Sequence, residues 1–459
     1  MRAVVMVLAA GMFAGSAAAG EDLSLWQKRM PITFSGFNPP GGGALTNFPA
    51  LVILSNTTAG AGFSYSDFLS PPYGDLRFAD ADKTTPLDFE IQCWDTNGLS
   101  LVWVRVPELT NNAIIYALWG KSGVAAPPCA TNGAVWTNGF TGVWHLDETN
   151  GVTAHDAIRD TYPGVIGGST AGIGAIGQLG RAFRFGGNDG YVTVNIVIGT
   201  SATISGWAAK TAGTSGMLWS RATYNPDLWF YNGTIYLNNG DSQANPFCVE
   251  PADSGRIHHY VTVIDATKAK AALYIDGRLA SSAANYQNPS GTPLKISSGC
   301  GYDWSGVIDE FTIAAVPRSS NWVWASYVNI ASNGVFNSYG DAKYQGGPWV
   351  TNAGAVSETS FMTLNGYLIS TGMDANVSAA VFWGTNDAGR TAEGWTYTNR
   401  LPGVAPEGPL SINVTPDTAG KYYYFRFSAS NSYGQAFANP AHSFIWWADI
   451  RTGSVFSTW

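Results

Sequence analysis

Charge is scarce in this sequence. Asp, Glu, Lys and Arg make up 12% of 459 residues and sum to −8, so there is no basic footprint for nucleic acid. Cysteine is nearly absent: Cys93, Cys129, Cys248 and Cys300 stand without a CxxC pair, which argues against zinc. Beyond the first 20 residues no run reaches the ~18 uncharged apolar residues of a membrane helix, and no transmembrane segment is expected. A Gly-x-Ser-x-Gly nucleophile elbow is also missing. Helix-favouring Lys and Glu are few.

What is present points to strands. The 54 Gly, 18 Trp and 21 Tyr suit many short strands joined by tight turns, and the length predicts about three domains. The expected fold is all-β, with three β-sandwich modules. Residues 1–19 combine Arg2, an apolar run and the small residues Ala17 to Ala19, the form of a secretory signal peptide. That predicts a secreted or cell-surface protein, in which oxidation is permitted and four cysteines allow three pairings. Cys248 with Cys300 is the expected disulfide, since both fall in the middle module.

The chain then divides into a β-sandwich over 20–123, a Pro/Gly/Ala linker at 124–133, a larger module over 134–344, a third over 347–444 and an aromatic tail at 445–459. In LDFEIQCW, Phe89, Ile91 and Cys93 alternate with Asp88, Glu90 and Gln92, a strand with one wet face. This predicts Cys93 inward and Glu90 solvated. A helix is expected in SSNWVWASYVNIAS after a Ser cap.

The middle module resembles the concanavalin A-like, laminin G-type jelly-roll family. The resemblance rests on GVWHLDETNG, AFRFGGNDGYVTV, ATISGW, RIHHYVTVIDATKAKAALYIDG and WSGVIDEFTI in that order, about 200 residues. The first module resembles a domain of unknown function that often precedes such jelly rolls in bacterial surface proteins, through DLRFADADKTTPLDFEIQCWD, LVWVRVPEL and IIYALWGKSG. The third is similar to fibronectin type III or Ig-like repeats, through KYYYFRFSASNSYGQAFA.

On that scaffold, retaining glucanases carry Glu-x-Asp-x-Glu or Glu-x-Asp-x-x-Glu, because alternate strand residues share a face and bring two carboxyls ~5 Å apart. Asp309 and Glu310 are consecutive and point to opposite faces. The reading is therefore structural, and no catalytic residue is assigned. No cofactor or metal is assigned either; calcium stays open, with Asn188, Asp189 and Asp309 as oxygen donors beside the plainer reading of NDG as a turn whose Gly takes positive φ. His145, His258 and His259 read as structural.

Aromatic residues give the functional lead. Sugars stack apolar C–H faces on Trp and Tyr rings while their hydroxyls seek polar partners. Trp229 and Tyr231 share a strand face, and GYDWSG adds Tyr302, Asp303 and Trp304 in a loop, Trp304 being the hardest to place in a core. The expectation is a non-catalytic protein that binds a glycan or another extracellular matrix or surface component. The alternatives are a structural or adhesive subunit self-associating through its tail, and, third, a glycoside hydrolase.

Overall fold

The computed structural model describes residues 21–447 apart from 57–61, 170, 212–214, 222–226, 239–245, 252–254, 285–292, 300 and 359, with backbone alone for 238 and 246–251. The fold is all-β, built of antiparallel sandwich modules. The candidate disulfide Cys248–Cys300 cannot be placed, because Cys300 and the Cys248 side chain lie outside the described residues, as do residues 1–20 and the tail from 448.

In the first module, strand Lys28–Thr33 pairs with Ile114–Trp119, which pairs with Arg77–Ala79; a second sheet sets Leu45–Leu54 and Phe89–Cys93 on either side of Ser100–Leu109. Phe48, Val52, Phe89, Val102 and Val104 fill the space between the sheets. The opposite face of the second sheet is covered as well. Leu51, Leu101 and Trp103 pack on Val135, Trp136, Val143 and Leu179 of the next module. Two covered faces explain the near-continuous apolar runs FPALVIL and LVWV, where a half-wet strand would alternate.

The segment read as the end of the middle module returns to the first. Helix Ser320–Ala331 is capped by Ser319, whose hydroxyl accepts from the Trp322 N–H. Trp322, Ala325 and Phe336 enter the first core, and strands Ser338–Tyr339 and Lys343–Tyr344 pair with Lys28–Thr33. Three asparagines at helical spacing treat strand Leu45–Leu54 as a partner. Asn329 accepts from the Leu51 N–H at 2.9 Å, and Asn333 and Asn337 donate to the Leu51 carbonyl at 2.9 and 2.7 Å. Side-chain amides thus satisfy an edge that would otherwise be open.

The middle module stacks two eight-stranded sheets among the described residues. One carries strands Ala202–Lys210, His258–Asp265 and Ser305–Ala314; the other carries Ser215–Arg221, Leu228–Tyr231 and Thr234–Asn238. Phe183, Ile204, Phe230, Ile235, Ile308 and Trp304 belong to the core between them. The third module packs a three-stranded sheet on a five-stranded one around Leu364, Tyr423, Phe425 and Phe427. Trp446, at the start of the tail, is buried in that core.

Cys93 is exposed, against expectation. A bulge at Gln92 shifts the register between Ile91 and Cys93, so the two-residue alternation that put Cys93 with Phe89 and Ile91 breaks there. At NDG the positive φ falls on the preceding Gly187 (82°) and not on Gly190, while the Asp189 carboxylate accepts from the N–H and hydroxyl of Ser169.

Candidate functional site

Strands Leu228–Tyr231 and Thr234–Asn238 join through Asn232-Gly233, both at positive φ (49° and 77°), the tightest hairpin geometry. A two-residue turn fixes the register: Trp229 lies opposite Tyr236, and Phe230 opposite Ile235. Leu228, Phe230, Ile235 and Leu237 enter the core. Trp229, Tyr231 and Tyr236 take the other face.

Tyr302 joins them from the loop before Ser305–Ala314, held by its carbonyl accepting from the Met217 N–H at 3.1 Å. Ring centroids of Tyr231, Tyr302 and Tyr236 lie 4.8, 5.0 and 5.8 Å from Trp229. Trp229 is buried beneath half-buried tyrosines. None of the three phenol hydroxyls bonds to another described residue. Asp303 follows Tyr302 in the chain and turns its carboxylate to Ser298, Oδ1 accepting from that hydroxyl at 2.6 Å.

Three of the five expected site residues, Trp229, Tyr231 and Tyr302, therefore meet in one corner. Trp304 does not. It is 0% exposed, edge-on to Phe230 at 4.8 Å, because its N–H bonds the Ser297 carbonyl at 2.6 Å and so turns the loop inward one residue before the strand starts. Tyr236 was missed, although the Asn-Gly hairpin in the sequence sets it opposite Trp229.

A second cluster lies at the junction of the first two modules. Glu310 is 4% exposed and takes φ of 48°, where Gly206 alone faces both Glu310 and Phe311 across a bulge. Its Oε2 lies 2.8 Å from His145 Nδ1, and its Oε1 accepts from Gln92 Nε2 at 2.7 Å. The other ring nitrogen of His145 is 3.4 Å from Glu90, which also accepts from the Trp136 indole N–H. Trp103 donates to Gln92 at 2.7 Å. Glu90 is thus buried, not solvated as its strand pattern implied: the face that looked wet is the one covered by the second module.

Burial alone would lower His145, but the Glu310 and Glu90 carboxylates outweigh it and hold the imidazole well above its ordinary value. Burial raises Glu310, offset in part by His145. Asp309 is pushed well above the usual carboxylate range by burial and then by the Glu310 charge; its Oδ2 accepts from the Leu179 N–H at 2.8 Å. The two neighbouring acids thus go to different partners, one tying a turn of its own module and one gripping the module next door. His258 bonds Asp276 at 2.7 Å, while His259 stacks on Trp207 at 4.9 Å and is pushed down to about 4 by burial. No group of three or more His, Cys, Asp or Glu among the described residues is placed to hold a metal ion.

Residues 72–151 match DUF2341, a domain of unknown function. The DUF2341 segment runs from the first module across the linker into strand Phe140–Trp144, and so holds Glu90, Gln92, Trp103, Trp136 and His145 together. No curated protein matches the chain significantly. Among solved structures, Trypanosoma rangeli sialidase is 14% identical at a TM-score of 0.34, over 52% of this chain and 42% of the sialidase. Domain 4 of AbnA, an arabinanase from Geobacillus stearothermophilus in complex with arabinotriose, is 15% identical at 0.32, over 40% of this chain and 97% of that one. A pentraxin from Limulus polyphemus is 16% identical at 0.25, over 29% and 75%. Similarity this low carries no functional argument.

Proposed function

We propose that the chain is a non-catalytic extracellular protein that binds a glycan on the outer face of a concanavalin A-like middle module. The observation that supports this is the platform itself: Trp229 ringed by Tyr231, Tyr236 and Tyr302, with three phenol hydroxyls that no described residue engages and Asp303 next to Tyr302 in the chain. Rings offer stacking to sugar C–H faces while phenols and a carboxylate offer hydrogen bonds. The non-catalytic reading is supported by the junction acids, since Glu90 and Glu310 are buried and committed to His145, Gln92 and Trp136.

The test is a glycan array probed with the full chain, with and without calcium, beside Tyr231→Ala and Tyr302→Ala. Saturable binding that drops about fivefold or more in each variant is expected, the loss of one stacking ring being worth about 1 kcal/mol or more. Binding that persists undiminished in both variants would move the site elsewhere, and no binding by the parent chain would remove the proposal.

A further inference from the structure

We propose that the glycan of the aromatic platform is acidic and sets a carboxylate or sulfate on Lys295, an inference that rests on the glycan reading above. In the platform's sheet, strands Leu228–Tyr231, Ser215–Arg221, Leu294–Ile296 and Tyr191–Val194 lie side by side in that order. Leu228, Phe230, Leu294, Ile296, Val192 and Val194 enter the core, so by strand alternation Lys295, Tyr191 and Thr193 take the same outer face as Trp229 and Tyr231. Register sets the distance. Lys295 pairs with Ser220 on one side and Thr193 on the other, while Trp229 pairs with Met217, three residues from Ser220. Two strand spacings and that offset place the Lys295 backbone roughly 13 Å from that of Trp229, a separation that an oligosaccharide bridges and a single sugar does not.

The ammonium is held by its surroundings. The Tyr191 ring crosses Gly167, where a Cβ would fall 2.5 Å from Cε2 and 2.7 Å from Cζ, so the ring uses space that only glycine leaves. Lys295 Nζ lies over that ring, 4.5 Å from its centroid. Among the described residues Lys295 has no ion pair, and the Tyr191 and Thr193 hydroxyls engage no described residue. Asp189, two residues before Tyr191, turns its carboxylate to the Ser169 N–H at 3.0 Å. A lysine on an open sheet face often guards an edge strand against pairing, but Leu294–Ile296 is flanked by a strand on each side. The stem can also cover apolar surface, a role that any long side chain fills. In a chain of net charge −8, an unpaired ammonium beside two hydroxyls suits an anionic oxygen group, which it binds by a charge-assisted hydrogen bond.

The experiment is an array of neutral, uronate and sulfated oligosaccharides probed with the full chain, each acidic member beside its carboxyl-reduced or desulfated form, with Lys295→Gln and Tyr231→Ala as variants. The parent is expected to prefer the acidic form about fivefold or more, added salt to narrow that preference, and Lys295→Gln to lose it. A ratio of two affinities does not depend on how much of the variant folds. Preference for uronates names a carboxylate as the anion, and preference for sulfated sugars names a sulfate ester. Binding of neutral glycans alone, or an acid preference that Lys295→Gln keeps, would overturn the inference; the platform reading then still stands if Tyr231→Ala weakens what is bound. No glycan bound by the parent chain would remove both.

Discussion

At the residue scale, one position shows how neighbours redefine a side chain. Glu310 belongs to a pair that reads as strand chemistry, yet its left-handed backbone and the bulge opposite Gly206 aim it at another module. It holds His145 of its own module and through Gln92 reaches the strand Phe89–Cys93 of the first. Glu310→Ala should cost about 3–5 kcal/mol in urea unfolding, because it strips a buried imidazolium of its nearer carboxylate and leaves only Glu90 at 3.4 Å; a loss under 1 kcal/mol would mean that His145 is neutral or that Glu90 suffices. Trp304 makes the opposite point. Its replacement by Ala opens a core cavity and should cost about 3–5 kcal/mol, while glycan affinity of the remaining folded protein stays at the parent value. A selective loss of affinity at unchanged stability would return Trp304 to the site.

At the element scale, the helix Ser320–Ala331 and the turn after it do two jobs. Trp322 and Phe336 complete the first core, and Asn329, Asn333 and Asn337 close the edge of strand Leu45–Leu54. The helix itself was legible, from its Ser cap and apolar spacing. Its partner was not, since helical spacing says which face is buried and nothing about which sheet buries it. Asn329→Ala removes the acceptor of the Leu51 amide and should destabilise by about 1–3 kcal/mol. Hydrogen exchange gives the sharper reading: the Leu51 amide should lose protection in the variant while amides of the third module keep theirs.

For the whole molecule, modules contiguous in sequence are not independent in space. The first module takes strands and a helix from 320–344, so a fragment ending at 123 should show no cooperative thermal transition, whereas 21–345 should melt in one. A sharp transition in the short fragment would refute that dependence. The junction also links stability to pH. His145, Asp309 and Glu310 are all raised, so the folded chain holds protons that the unfolded chain has released. Their contribution is full below the ordinary values of 3.8, 4.5 and 6.5 and is lost as pH rises through the folded ones. Stability should therefore fall from pH 6.5 upward, by at most about 1.4 kcal/mol per pH unit for the His145 proton. Urea midpoints at pH 6.5 and 9 measure this, and His145→Gln should flatten the slope; a parent midpoint that does not move would refute the charged junction.

The sequence by itself determined the all-β class, the strand spacing, the helix cap and the hairpin that pairs Trp229 with Tyr236, because these depend on period, turn chemistry and local hydrogen bonds. Tertiary structure alone decided that Glu90 is buried, that Trp304 turns inward, that Cys93 turns out and that Glu310 and Glu90 meet at His145. Each of those depends on contacts between residues far apart in the chain or on a one-residue bulge, and neither leaves a periodic trace in the sequence.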